Sequence, residues 1–123
     1  GQSLRIPYRL GDDRKVLHPD FIFFEKVGDR EMPAVVDPHG LHLADTMPKL
    51  KGIARYVEDF GDSFSRYWFV SDYKGQATYL DMKDAETRAI IGTASDAYEC
   101  FAKCGKKYMD GPLSKSKDGY RKK

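Results

Sequence analysis

The order in which hydrophobic period changes along these 123 residues predicts an α/β domain built on a mixed central sheet with flanking helices. Three observations carry that expectation. Short apolar runs bounded by Gly, Asp and Pro fill the first forty residues, a helical period takes over at Thr46, and two further strand-like runs precede a second helical stretch. A hydrophobic fraction of 41% with 33% charged residues is enough apolar surface for one core and excludes wholesale disorder.

The elements follow in order. Leu4–Leu10 (LRIPYRL) alternates well enough for a strand, with Pro7 favouring an edge or a strand end, and Gly11-Asp12-Asp13 reads as a turn. Val16–Val27 is the most strand-like segment. Its run Phe21-Ile22-Phe23-Phe24 suits a strand covered on both faces. Gly28-Asp29-Arg30-Glu31 reads as a hairpin loop, returning through Pro33–Asp37 antiparallel to the first strand. Leu50, Ile53, Ala54, Val57 and Phe60 share one helical face, with Asp45 or Thr46 placed to cap its start and Gly61 to close its end. Arg66–Ser71 and Gln76–Met82 read as strands, and Asp84–Ile91 as helical. Ser95 is placed to cap a last helix whose apolar positions include Tyr98, Phe101 and Ala102. The expected order is β, β-turn-β, α, β, β, α, with a domain over 1–110 and a flexible tail over 111–123.

Charge is unevenly spread. Seven basic residues against two acids give residues 105–123 a charge of +5, leaving −3 on the first 104 of a chain whose total is +2. Such a tail can lean on phosphates, although a solvated tail is the commoner meaning. No apolar run reaches the length of a membrane span, no secretory leader is read at the start, and Cys100 and Cys104 stand alone as a pair. A cytoplasmic protein with reduced thiols and no membrane association is expected.

Two aspartates concentrate the chemical interest. Asp20 follows Pro19 at the entry to one strand of the hairpin, and Asp37 ends the other, so antiparallel pairing brings both to the open end of the hairpin. Two carboxylates meeting there repel unless a cation lies between them. A hard divalent ion takes one or two carboxylates and leaves its other positions to water and phosphate oxygens, the apparatus of phosphodiester hydrolysis. The bland alternative is that both acids satisfy turn amides.

Pro19-Asp20-Phe21-Ile22, a hairpin, then Val35-Val36-Asp37-Pro38-His39-Gly40 resembles the motif of the PD-(D/E)xK nucleases, most closely the C-terminal nuclease-like part of type III restriction enzymes and related phage-defence helicases. The resemblance covers roughly Leu4 to Ser71, and the helix and strand after the motif stand in that family's order. It implies a restriction-endonuclease-like sandwich that cleaves DNA with Mg²⁺ or Mn²⁺, joined to an upstream helicase domain of a larger parent chain. It further implies metal ligation by Asp20, Asp37 and the carbonyl of Pro38.

His39 stands where the family has a catalytic lysine, and only a few residues precede Leu4 where the family usually has a helix, so either the chain is cut from a longer protein or that helix is absent. Histidine can act as a base or bind metal itself, whereas Lys49 or Lys51, early in the following helix, could supply the missing cation. Lys49, Lys51 and Arg55 recur along that helix and could track a phosphate backbone. A catalytically decayed nuclease fold, kept as a nucleic-acid-binding or protein-docking module, is the alternative.

His18-Pro19-Asp20 also spells a J-domain cochaperone signature, but a strand-like run follows it at once. Asp37, His39, His42 and Asp45 could form a zinc-type site, at a spacing that matches no standard ligand set. Tyr67, Trp68 and Phe69 read as core rather than as a base-stacking platform.

Overall fold

A computed structural model describes residues 4–108. The chain forms β1 (Ile6–Leu10), β2 (Asp13–Leu17), β3 (Phe21–Val27), β4 (Arg30–Pro38), α1 (Thr46–Phe60), β5 (Arg66–Tyr73), β6 (Gln76–Asp81), α2 (Ala85–Thr93), α3 (Ala97–Cys104) and β7 (Lys106–Lys107). β1 and β2 pair as a separate hairpin, and the other strands make one mixed sheet in the order β3-β4-β5-β6-β7. Among the described residues only the β4–β5 pair is parallel, joined by the α1 crossover that parallel pairing requires.

The α/β class and mixed sheet are as the sequence predicts, but several elements differ. The segment read as one strand over Val16–Val27 breaks at His18-Pro19-Asp20 into β2 and β3, because proline cannot donate to a ladder. Asp13, read as turn, already belongs to β2. The β3–β4 loop is only Gly28-Asp29, with Val27 facing Arg30. Gly28 takes φ 65° there, a conformation that costs glycine nothing. Among the described strands β3 is a sheet edge rather than a strand covered on both faces, and Phe21 and Phe24 are 58% and 55% exposed. The sequence reading also missed the short β7.

Alternation along the strands sends Val35, Tyr67, Phe69 and Leu80 to one face, where they join Leu50, Ile53 and Val57 of α1, Ile91 of α2 and Phe101 of α3 in the core. α1, α2 and α3 therefore lie on the same side of the sheet. Burying each of these α1 side chains stabilises the fold by roughly 1.5–3 kcal/mol. Trp68 and Tyr79 stack on the opposite face with ring centroids 3.8 Å apart. The β1–β2 hairpin covers the outer side of α1 through Ile6 and Tyr8. Its close approach needs Gly52, where a Cβ would sit 2.6 Å from both the Pro7 carbonyl oxygen and the Tyr8 Cβ.

The helix ends depart from expectation in detail. Neither Asp45 nor Thr46 caps the α1 backbone; Asp45 binds Lys49 instead. α1 ends at Phe60 with Gly61 next, as expected, but the right-handed φ of −60° at Gly61 carries the chain on into a 3-10 turn over Gly61–Ser63. Phe60, expected on the buried face, is exposed at this end. The second helix starts at Ala85, capped by Asp84, and runs to Thr93. Asp96 rather than Ser95 caps α3, accepting from the Glu99 amide, while the Glu99 carboxylate accepts from the Ser95 amide. Of the apolar positions assigned to that helix, Phe101 is buried whereas Tyr98 and Ala102 are exposed. Cys100 is buried, and both thiols are free. The tail read over 111–123 lies outside the described residues.

Candidate functional site

The β3–β4 register sets Phe21 opposite Val36, so Asp20 and Asp37 do arrive at the same end of the hairpin. They meet through unlike atoms. The backbone N–H of Asp20 donates to Oδ1 of Asp37 at 3.2 Å, and Asp20 itself is exposed in the bend before β3. Asp37 is 1% exposed, because alternation on β4 turns it to the helix-covered face beside Tyr67.

Its carboxylate is the hub of a small buried network. The Tyr67 hydroxyl donates to Oδ2 at 3.2 Å, and the His39 ring approaches the same oxygen through Nε2 at 2.9 Å. A carboxylate only accepts, so Nε2 is the protonated nitrogen of this contact. Burial, then the Asp37 charge and the hydrogen bond to it, hold the Tyr67 hydroxyl well above its ordinary value of 10.0.

His39 is positioned from three directions. Its ring stacks on Phe69 at 4.6 Å with 13° between planes. Its backbone N–H donates to the Val70 carbonyl at 2.8 Å, continuing the parallel β4–β5 ladder past Pro38. The loop beyond is tied down where the buried Thr46 hydroxyl donates to the Gly40 carbonyl. His39, Pro38, Ser71 and Asp72 line an open pocket of about 460 Å³ at the carboxyl ends of β4 and β5.

Of the two lysines proposed to replace the missing cation, Lys49 is engaged elsewhere and Lys51 faces a different groove. Lys49 pairs with Asp45 at 3.2 Å and lies 5.9 Å from the Tyr8 ring centroid. Lys51 is exposed and shares a groove of about 220 Å³ with Arg55 and Arg9. Lys51 and Arg55 also line an adjoining groove of about 280 Å³ with Arg88 and Glu58. Arg88 donates to the Met82 carbonyl at 3.0 Å through Nη1, while its buried Nε lacks a hydrogen-bond partner and stands 3.9 Å from the Glu58 carboxylate. Of the three cations read as a phosphate track, Lys51 and Arg55 stay together and Lys49 turns away.

Sequence reasoning missed Tyr67 and Arg9. Tyr67 was legible as core, but its partnership with Asp37 depends on β4 and β5 being neighbours, thirty residues apart in the chain. Arg9 joins the basic groove only because β1 folds onto α1.

Magnesium demands near-octahedral oxygen ligands at about 2.1 Å and usually keeps several waters. The Asp37 oxygens accept three hydrogen bonds at a position closed to solvent, so the donor set does not fit a hydrated ion bridging Asp20 and Asp37. Among the described residues no group of three or more His, Cys, Asp or Glu side chains is placed to hold a metal, and the zinc-type set of Asp37, His39, His42 and Asp45 does not assemble. No helix among them is long and apolar enough to cross a membrane.

Comparison with known proteins places the chain. Protein YagJ of Escherichia coli (strain K12) is 38% identical over 100 residues, a match that covers 81% of this chain and 41% of that protein. The chain thus spans about two fifths of the length of that curated relative. No solved structure gives a significant match. The YagJ family model matches residues 1–109, and the chain belongs to the YagJ family.

Proposed function

We propose that this chain is a nuclease-like α/β domain that binds nucleic acid without cleaving it, its former metal acid retained as a structural clasp. The observation that carries this reading is the buried Asp37 carboxylate, engaged by the Asp20 amide, the Tyr67 hydroxyl and His39. The likeness to the PD-(D/E)xK pattern is supported by the hairpin that joins the two acids and by the α1 crossover into a parallel strand. Binding is supported by the groove where Arg9, Lys51 and Arg55 converge, since phosphate contacts of this kind position a backbone without reading sequence. A DNA partner, and the helicase motor that the resemblance implies in a longer parent chain, belong to this proposal.

Fluorescence anisotropy with a labelled duplex, across a salt series, tests binding. Affinity should fall linearly on a logarithmic salt scale, and Arg55→Ala should reduce the slope by about 1. A plasmid-nicking assay with Mg²⁺ and with Mn²⁺ tests the clasp. Nicking by the wild type that disappears in Asp20→Ala would restore the metal-dependent nuclease reading and overturn this one.

A further inference from the structure

We infer that the exposed edge of β3 is a homodimer interface, at which a second copy of this chain continues the sheet through its own β3. Three of the large apolar residues left exposed in the molecule lie on this single strand, Phe21, Phe24 and Val27, at 58%, 55% and 48% exposure. Among the described residues nothing pairs with the outer edge of β3, so alternate N–H and C=O groups along it point away from β4. The strand runs seven residues without an internal proline, and Lys26 is its one basic residue. Edge strands in monomers are normally shortened, bulged or more heavily charged than this.

A groove of about 440 Å³ runs beside that edge on the helix-covered face, lined by Ile22, Phe24, Tyr56, Phe60 and Phe64 among others. An open strand edge next to a side-chain groove is the arrangement used for strand addition, in which main-chain bonds supply affinity and pockets accept alternate side chains.

The charge pattern selects a second copy as the occupant. A two-fold axis normal to the sheet keeps each side chain on its own face, so an antiparallel β3–β3 pair must be centred on a residue. Centred on Phe24, all seven residues pair. Ile22 then faces the second copy's Lys26, Phe23 faces its Glu25, and Phe21 faces its Val27. Every charged residue meets an apolar one and no like charges are opposed. Moving the centre to Glu25 opposes two glutamates, which destabilises a pair. Glu25 is also held within its own chain by Arg66, at 2.9 and 3.3 Å, leaving little net charge to repel a partner. The second copy brings Ile22 and Phe24 on the face that carries the groove, so each chain supplies the apolar side chains that the other accommodates.

Sedimentation velocity over a concentration series, with cysteine cross-linking, tests the interface. The wild type should dimerise reversibly, and Phe24→Arg should raise the dissociation constant by at least ~100-fold, the scale of losing a central interface residue. Phe24 is half-exposed in the monomer, so unchanged far-ultraviolet circular dichroism should show that the variant still folds. Phe24→Cys should yield a covalent dimer on mild oxidation, because opposed residues of an antiparallel pair lie ~4.5–5.5 Å apart, within disulfide reach. Lys26→Cys should not, since its two copies would stand ~14 Å apart, four residues at ~3.4 Å each. A wild type that stays monomeric at hundreds of micromolar overturns the inference. A dimer indifferent to Phe24→Arg, or one cross-linked as readily through residue 26 as through 24, overturns it as well.

Discussion

β3 and β4 are hydrogen-bonded neighbours with similar apolar runs, yet they live in different environments. Ala34, Val35 and Val36 of β4 are 0–4% exposed, while Phe21 and Phe24 of β3 stand more than half in solvent. The same contrast separates the two aspartates at their shared end. Asp37 is sealed beneath the helices, and Asp20 contributes a backbone amide while lying open to water. Place in the sheet order accounts for the difference: β4 is flanked by β3 and β5, and β3 by β4 alone among the described strands.

Substitutions at paired positions sharpen that contrast. The largest effect should come from Asp37→Ala, which leaves the buried Tyr67 hydroxyl without an acceptor and frees two further donors. A loss of about 3 kcal/mol in urea unfolding is expected, against less than about 0.5 kcal/mol for Asp20→Ala. Equal losses at the two sites would mean that both carboxylates are structural. Next, Val35→Ala should cost about 2 kcal/mol through lost burial and the cavity left behind, and Phe24→Ala under about 1 kcal/mol in a dilute, monomeric sample.

Gly52→Ala bears on the other layer of the molecule. Its methyl group would meet the backbone of β1, so a cost of about 1–3 kcal/mol is expected, measurable as a lower unfolding midpoint.

Tyr67→Phe should be milder, about 1 kcal/mol at neutral pH. It should also change the alkaline limb of the stability profile. The folded-state value of Tyr67 is raised, so the folded protein holds that proton more tightly than the unfolded chain does. Stability from this group is fully present below the unfolded value of about 10 and is lost as pH rises through it toward the raised folded value. The variant should lack that component, and identical alkaline limbs would show that the burial of Tyr67, together with its contact to Asp37, is absent in solution. The smallest effect concerns reactivity. Burial pushes the Cys100 thiol up to about 11, so Cys104 should react first with a thiol reagent at neutral pH.

Much of this architecture is legible locally. The α1 stripe of Leu50, Ile53 and Val57 follows from a 3.6-residue period, and the Gly28-Asp29 turn from the conformations open to glycine. The convergence of Asp20 and Asp37 followed from hairpin geometry alone. The form of their meeting did not. Whether a carboxylate faces a cation, or a tyrosine thirty residues away, depends on which strand lies beside β4, and no window of the sequence contains that. The run of β3 misled for the same reason. Four apolar residues mark a strand without revealing how many neighbours it will have, and burial is a property of the neighbours.

By itself, then, the sequence determined the class of the domain, the helix-to-sheet alternation and the pairing of the two acids at one end of a hairpin, because turn chemistry and hydrophobic period act over a few residues. Only the tertiary structure decided that Asp37 meets the Tyr67 hydroxyl, that Arg9 joins Lys51 and Arg55, and that β3 is left at an edge among the described strands. Each of these rests on contacts between segments distant in the chain. Such contacts form through the joint burial of a whole sheet face and the satisfaction of its buried polar groups, a condition that the folded molecule meets as a unit.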